Sequence, residues 1–592
     1  MIVTLDWETL YSDDYTLKKM TTEAYVRDAR FKPHGLAIKF DDAPATWFPP
    51  SVLHVPRMRA RIEQSAVLCH HAQFDGLILW HHYGLCPAMW LDTLSMARIA
   101  VPHERHSLDN LCKVFGLPGK QYQKLLDVKG VADLAPWQYE QLGVMSCDDA
   151  DKTYKIFQQI KDQIPRDEFR IIDMTIRMFT EPSLVLDRPL MENYAERVKG
   201  NKDGILDFLQ VTREQLNSAN KFAGILRALG IEPPTKQGKS ETIYAFAKTD
   251  AGMRELLEHD DERVSAVSSA RLGIKSSIAE TRCERLLSMD ARGRCAVYLR
   301  YAGAHTTRWS GGDALNWQNF PRGGDIRKSI LAPPGKKIVV ADSSQIECRM
   351  VNWLAGQLDV VETFRQNKDP YVGVASQFYG RTITRADKTE RHLGKTIELG
   401  CGYGMGAERF KVTCANGPLG GAPIHLTLDE AQAAVDIYRG THKRVVWMWY
   451  HTAEDALNAL ANGGTLEWGP MAIDQGAVWL PNGLPLCYDD PQVDNNGDRW
   501  FKVRGRRSKM YGGKLVENVV QALSRVVLSE AMLRISQRYK IVNCTHDEVM
   551  VLADVDDAEA LPYLLSELRK EPTWAPGLPL DAEGVEGERY GK

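Results

Sequence analysis

KKIVVADSSQIECR, residues 336–349, decides how this chain is read. Pro333-Pro334-Gly335 break the backbone just before it, and four apolar residues, Ile338 to Ala341, then run without a polar interruption. An apolar run this short, bounded by turn residues, predicts a strand buried on both faces. Asp342 ends the run, so the strand delivers a carboxylate to the rim of a sheet. A second acid, Asp547, lies in NCTHDEVMVLA (543–553), between two apolar runs that predict a hairpin. Acids 205 positions apart are not a motif by themselves, but carboxylates at strand ends are the residue type that phosphoryl transfer needs, because divalent metals flanking a phosphate are held by oxygen ligands.

Outward from this pair, the chain has 592 residues, room for about four compact units. Hydrophobic residues at 44%, charged at 26% and aromatic at 9% describe an ordinary globular protein and exclude a disordered or fibrous one. The absence of a long uncharged apolar run excludes a membrane-spanning helix as the expectation. MIVTLDWETLYSDD at the start lacks the basic and apolar regions of a secretory signal, which predicts a cytoplasmic location, the host cytoplasm if the source is viral. Eleven cysteines without one C-x-x-C pair read as reduced, mostly buried thiols, neither a disulfide framework nor a zinc cage. Net charge is only −3, but it is uneven: nine basic residues stand against three acidic between Arg263 and Arg308, and twelve acidic against four basic from Asp547 onward. That asymmetry suits a nucleic-acid channel with acidic material elsewhere.

Along the chain, IVTLDWE (2–8), GLAIKF (35–40) and SAVLCHHAQFD (65–75) alternate with helical stretches, predicting an α/β domain over residues 1–165. Residues 166–300 are expected to be largely helical, with a break at Pro233-Pro234 and a basic end suited to a clamp. A helix is expected from about Gly513 to Tyr539, with Leu515, Val519 and Leu523 as its apolar stripe and Lys514, Asn518, Gln521 and Arg525 as its polar face. The last 18 residues, rich in glycine and acids, are expected to be only partly ordered.

Chemistry-bearing residues cluster in four further places. In RHLGKTIELGCGYG (391–404), Arg391, Lys395 and Leu399 fall within about 80° on one helical face. Two cations and an apolar side chain facing one cleft suit a triphosphate beside a base or sugar. AHTTRWSGGDALNWQNFPR (304–322) carries Arg308, Gln318 and Asn319. Near the N-terminus, Asp6 and Glu8 share a face of the first predicted strand, because side chains alternate with period two. Asp75 follows HHAQF, and Asp149 lies in SCDDADKTY (146–154) at an expected helix start.

DSSQIECR resembles motif A of the family A DNA polymerases, the 391–404 stretch their motif B, and HDE (546–548) their motif C, in the family's order. The 304–322 segment resembles the family's primer-template segment. The N-terminal acids resemble the DEDD proofreading exonucleases, although His71 stands at the usual Asn and Met145 at the usual Tyr that orients the attacking water. The resemblance covers nearly the whole chain and is nearest to bacteriophage-type relatives of the Klenow portion of DNA polymerase I. It implies an RNase H-like exonuclease domain (1–165) followed by a right-hand polymerase, α/β and α+β in class: thumb (166–300), palm (301–360), fingers (361–445) and palm again (446–592). It implies Asp342 and Asp547, with the Ser343 carbonyl, as ligands of two Mg²⁺ ions, and Asp6, Glu8, Asp75 and Asp149 as ligands of two more, with Mn²⁺ able to substitute.

The same resemblance casts Lys395 as charge stabiliser and acid, Arg391 as phosphate clamp and Glu347 as sugar gate. Gln345, Leu399, Tyr403 and His546 complete the nucleotide and primer-end contacts, with Leu399 and Ser343 in place of the family's aromatics. Lys514, Asn518 and Gln521 join Arg308, Gln318 and Asn319 on DNA. Glu548 has two readings, support of the metals or of the hairpin alone. The implied partners are primer-template DNA and deoxynucleoside triphosphates, with no membrane, a monomeric state and no accessory factor named by any residue. A single-subunit RNA polymerase and a non-catalytic nucleic-acid-binding protein are the rival readings; Glu347 and the retained acids count against them.

Overall fold

The computed structural model describes residues 1–119, 128–238, 241–248, 250–257, 259–418 and 421–591. They form two compact units: residues 1–185, 294–322 and 331–592, and residues 186–293 with 323–330.

The first unit contains two sheets that carry the acids. The N-terminal one has five strands in the order Thr46–Phe48, Pro33–Phe40, Ile2–Thr9, Ala66–Cys69, Met89–Asp92. The first three pair antiparallel and the last three parallel. Val3 and Leu5 are buried on the central strand, and the helices Ala72–Tyr83 and Pro136–Ile160 pack around the sheet. Asp149 therefore stands well inside a 25-residue helix and not at a helix start; Pro136 at its first turn sets the true beginning.

The second sheet is wholly antiparallel, in the order Lys540–Thr545, Glu548–Asp554, Lys336–Ser343, Ala582–Gly587. The apolar run at Ile338–Ala341 is buried on both faces, as its composition requires. The acidic C-terminal stretch corrects the expectation of partial order: Ala582–Gly587 pairs with residues 338–343 of the central strand, and Tyr590 is fully buried. Gly584 permits this fit, since a Cβ there would stand 2.5 Å from the Val340 carbonyl oxygen. The long helix runs Gly512–Ile535, with Leu515, Val519 and Leu523 buried.

The second unit begins at Leu186, later than the 166 expected for the helical region. Helix Arg166–Thr180 stays with the first unit because Glu168 is locked to Arg525 and Asp173 accepts from the Trp90 backbone N–H at 2.7 Å. Within the second unit, Leu216, Phe222, Leu226, Met253, Val264 and Val267 form a core. Arg271, one of the basic run, is not on a solvated face; it is buried between Phe222 and Phe246 and donates to the Leu216 carbonyl. After Pro233-Pro234 comes a short antiparallel strand pair, Thr235–Gln237 with Thr242–Tyr244. The eleven cysteines are free thiols, eight of them buried. Among the described residues no helix is long and apolar enough to cross a membrane.

Candidate active site

A cleft of about 960 Å³ opens over the C-terminal sheet. Asp342 reaches it from the end of its strand, opposite Glu548 on one neighbour and Glu583 on the other. Asp547 reaches it from the hairpin turn, where His546 adopts a left-handed φ of 55°. The Ser343 N–H donates to the Asp547 carbonyl at 2.9 Å, tying the turn to the strand end and setting the two acids side by side. Burial pushes the Asp547 carboxyl up to about 6, with Glu548 and Glu347 adding to the rise and Arg322 opposing it.

Helix Lys388–Cys401 supplies the opposite wall. Arg391, Lys395 and Leu399 all line the cleft, as the helical spacing predicts. Burial, then the nearby Arg322 and Arg391 cations, hold the Lys395 ammonium below its usual range. Arg391 lies over the Tyr371 ring at 5.4 Å, and its Nε donates to Asp369 at 2.6 Å. Glu347 is held from two sides: Arg308 pairs with one oxygen, and the Tyr403 hydroxyl donates to the other at 3.2 Å. Burial pushes the Tyr403 phenol well up, so it stays a neutral donor. Gln345 lines the cleft from a left-handed position, φ 57°, at the cap of the next helix.

Of the long helix, Lys514 and Gln521 line the cleft, and both bond to Glu517. Asn518 is a correction: it is buried, and its amide donates to the Tyr488 hydroxyl at 2.9 Å. Arg525 is another. It is fully buried, both guanidinium ends donate to Glu168 at 2.5 and 2.6 Å, and Tyr301 donates to the same carboxylate at 2.6 Å. The helix is therefore polar toward the cleft over its first turns only. Gln318 is buried in a short 3-10 turn beside exposed Asn319, and neither lines the cleft. Ser343 and His546 adjoin the cleft acids in sequence without lining it. Glu548 is buried away from the lining, where the Tyr590 hydroxyl donates to it at 2.5 Å, a contact that joins the hairpin to the C-terminal strand.

Sequence reasoning missed Arg322, Asp369, Asp581 and Glu583, which also line the cleft. The signal for Arg322 was present at the end of the 304–322 segment. That for Glu583 was hidden in a stretch whose composition resembles a solvated tail.

The N-terminal acids have different surroundings. Asp75 is buried, accepts from the Trp7 backbone N–H, and has its carboxyl pushed well up by burial and by Asp6. Asp6 in turn accepts from the Ser146 hydroxyl, 2.8 Å to Oδ2 and 3.1 Å to the carbonyl. Glu8 lies two residues along the same strand, and Asp149 one helical turn beyond Ser146. Asp92, which carried no expectation, is consumed structurally: it accepts from the His71, Ala72 and Ser95 N–H groups and the Ser95 hydroxyl. His71 stands at φ 83° with its ring 3.1 Å from the Tyr298 hydroxyl.

Among the described residues no group of three or more His, Cys, Asp or Glu lies close enough to form a ready metal cage. Asp342 and Asp547 suit a hard cation of the magnesium type, which takes one or two carboxylates and completes its shell with water and substrate phosphates.

Residues 188–460 match the family described as DNA polymerase family A. A DNA polymerase of Bacillus phage SP02 is 27% identical over 416 residues, 60% of this chain and 61% of the phage protein. A thermostable DNA polymerase I of Thermus filiformis is 34% identical over 417 residues, 67% of this chain and 44% of that protein. The chain spans 61%, 36% and 32% of the length of its relatives from the phage, Synechocystis and Thermus thermophilus. A solved structure described as the POL domain of Pol1 from M. smegmatis in complex with DNA primer-template and dNTP has a TM-score of 0.65 at 16% identity, covering 99% of this chain and 95% of that one. At that identity the likeness is one of fold.

Proposed function

We propose that this chain is a template-directed DNA polymerase, adding deoxynucleotides to a primer 3′ end by phosphoryl transfer, and the match of residues 188–460 to DNA polymerase family A supports that reading. One observation carries the reading. Asp342 and Asp547 meet Arg391, Lys395 and Leu399 across one cleft, although the two groups come from separate elements.

Asp342 and Asp547 would hold a pair of Mg²⁺ ions, replaceable by Mn²⁺. When bound, these supply a lowered pKa at the primer hydroxyl and neutralise triphosphate charge. The chain's own residues do the rest. Lys395, with its proton loosened by burial and neighbouring cations, stabilises the leaving pyrophosphate and donates a proton to it. Arg391 exchanges Asp369 for phosphate oxygens. Glu347, which Arg308 and Tyr403 hold in place, would exclude a ribose 2′ hydroxyl. Leu399 offers an apolar surface for the sugar and base, and Lys514 and Gln521 face the duplex.

A second activity, 3′ to 5′ proofreading, is proposed for the N-terminal sheet. Adjacent Asp6 and Asp75 support it, and Met145 in place of the usual Tyr implies a slow rate. Replication of a phage-type genome, by a monomer in the host cytoplasm, belongs to the same proposal; similarity to a DNA polymerase of Bacillus phage SP02 supports its phage-type part.

The test is extension of a labelled primer-template with Mg²⁺ and four deoxynucleotides beside a nucleotide-free lane. Extension in the first and 3′ shortening in the second is the expected result. Extension alone leaves the N-terminal sheet a structural domain, and no extension overturns the main reading.

A further inference from the structure

Helix Lys443–Tyr450 presents one face that the cleft does not use. Lys443, Arg444, Trp447, Tyr450 and His451 fall at helical spacing on that face, and all five are exposed. Trp447 keeps 47% of its surface in water and Tyr450 62%. The Arg444 guanidinium lies 5.4 Å from the Trp447 ring, and the His451 ring stacks on Trp447 at 4.7 Å and 23°. Val445, Met448 and Trp449 bury the opposite face.

Two features set this face apart from an idle surface. Large aromatic rings are rarely left in water at this density without an occupant. Two cations also occupy the first turn, where the helix dipole disfavours positive charge; with no acid in that turn, the helix end is doubly electropositive. Cations that meet phosphates, interleaved with rings that meet bases, form the chemistry of single-stranded nucleic-acid binding.

Position selects the strand. The Trp449 indole N–H donates to the Gly402 carbonyl at 3.1 Å, next to cleft-lining Tyr403. Gly512, at the start of the long helix, packs so closely on the Trp449 carbonyl that a Cβ would stand 1.8 Å from it, and adjacent Tyr511 lines the cleft. The exposed face is thus one helix thickness, roughly 10 Å, from the cleft wall.

We propose that the exposed face of Lys443, Arg444, Trp447, Tyr450 and His451 is a stacking platform for single-stranded DNA, occupied by the uncopied template strand as it approaches the cleft. Its assignment to the template rests on the polymerase reading above; its affinity for a single strand does not.

Two substrates share one duplex and differ in 5′ template overhang, about two nucleotides or about twelve, the longer within the usual site size of a single-strand groove. 2-Aminopurine is placed at successive overhang positions. The wild-type chain is expected to bind the longer overhang roughly tenfold more tightly and to quench the probe at a fixed distance from the duplex. Trp447→Ala/Tyr450→Ala removes both the gain and the quenching, while affinity for the short overhang and extension on it persist. Lys443→Ala/Arg444→Ala lowers the salt dependence of single-strand binding by a slope of about 1.4. An unchanged overhang gain in the aromatic double variant overturns the proposal. So does a change in sedimentation of that variant without a change in overhang binding, since the face is then a contact between copies of the chain. If the wild type binds neither duplex, the polymerase reading fails; free oligothymidylate then tests the platform by itself, and equal binding by wild type and variant overturns it.

Discussion

The two acid-bearing sheets begin alike and end differently. Asp6 and Asp342 each sit on a strand among buried apolar residues, and a further acid packs beside each, Asp75 and Asp547. At the C-terminal sheet the acids open on a cleft whose far wall carries Arg391 and Lys395. At the N-terminal sheet Asp75 is walled in, Ser146 occupies Asp6, and Asp92 is spent on capping a helix. A carboxylate at a strand end is therefore only raw material. Facing cations and open space make one pair a candidate phosphoryl-transfer site as it stands, whereas at the other burial of Asp75 holds a proton that a metal would first have to displace.

The largest expected effect comes from Asp342→Ala, which should lower primer extension by roughly 10³-fold or more while leaving any 3′ shortening in place. Equal loss of both activities would break the comparison, because it would mean that the sheets do not work separately. Next is Glu168→Gln. It leaves Arg525 buried without its full counter-charge and should cost about 3–5 kcal/mol in urea unfolding. The shift is expected in the unfolding transition of the first unit, since this pair ties the helix following the N-terminal sheet to the long helix beside the C-terminal sheet within it.

The third prediction concerns pH. With its carboxyl pushed up to about 6, Asp547 must lose a proton before it can hold a cation, so extension at low Mg²⁺ should fall about tenfold per unit below that pH. Raising Mg²⁺ should move this limb to lower pH, and a limb indifferent to Mg²⁺ would assign it to another group. The smallest effect is expected at Asp75. Its folded carboxyl lies above its unfolded value, so the folded state binds the extra proton and stability declines as pH rises from about 4. Asp75→Asn should accordingly unfold at higher temperature at neutral pH and lose that pH dependence, with extension unaltered. A lower melting temperature would show that the carboxylate is compensated where it sits.

Periodicity and local chemistry made the C-terminal half legible. The buried strand at Ile338–Ala341, the hairpin around Asp547 and the helical face of Arg391, Lys395 and Leu399 depend on neighbours within a few residues of each other, and the structure contains all three. The long helix was legible in its apolar stripe and misleading in its polar one. Asn518 and Arg525 follow the same spacing as Lys514 and Gln521, yet they turn to Tyr488 and Glu168. Nothing in the 512–535 stretch announces those partners.

The sequence by itself therefore determined which segments become strands and helices, which acids end them, and which cations share a helical face, because backbone preference and hydrophobic period act over short separations. Only the tertiary structure decided what each charged group meets. It drew the acidic C-terminal stretch into the sheet beside Asp342, gave Glu548 to Tyr590, and placed Ser146 on Asp6. Those outcomes depend on groups far apart in the chain arriving in the same desolvated space, where a carboxylate's partners, and not its position in the sequence, fix its charge and its use.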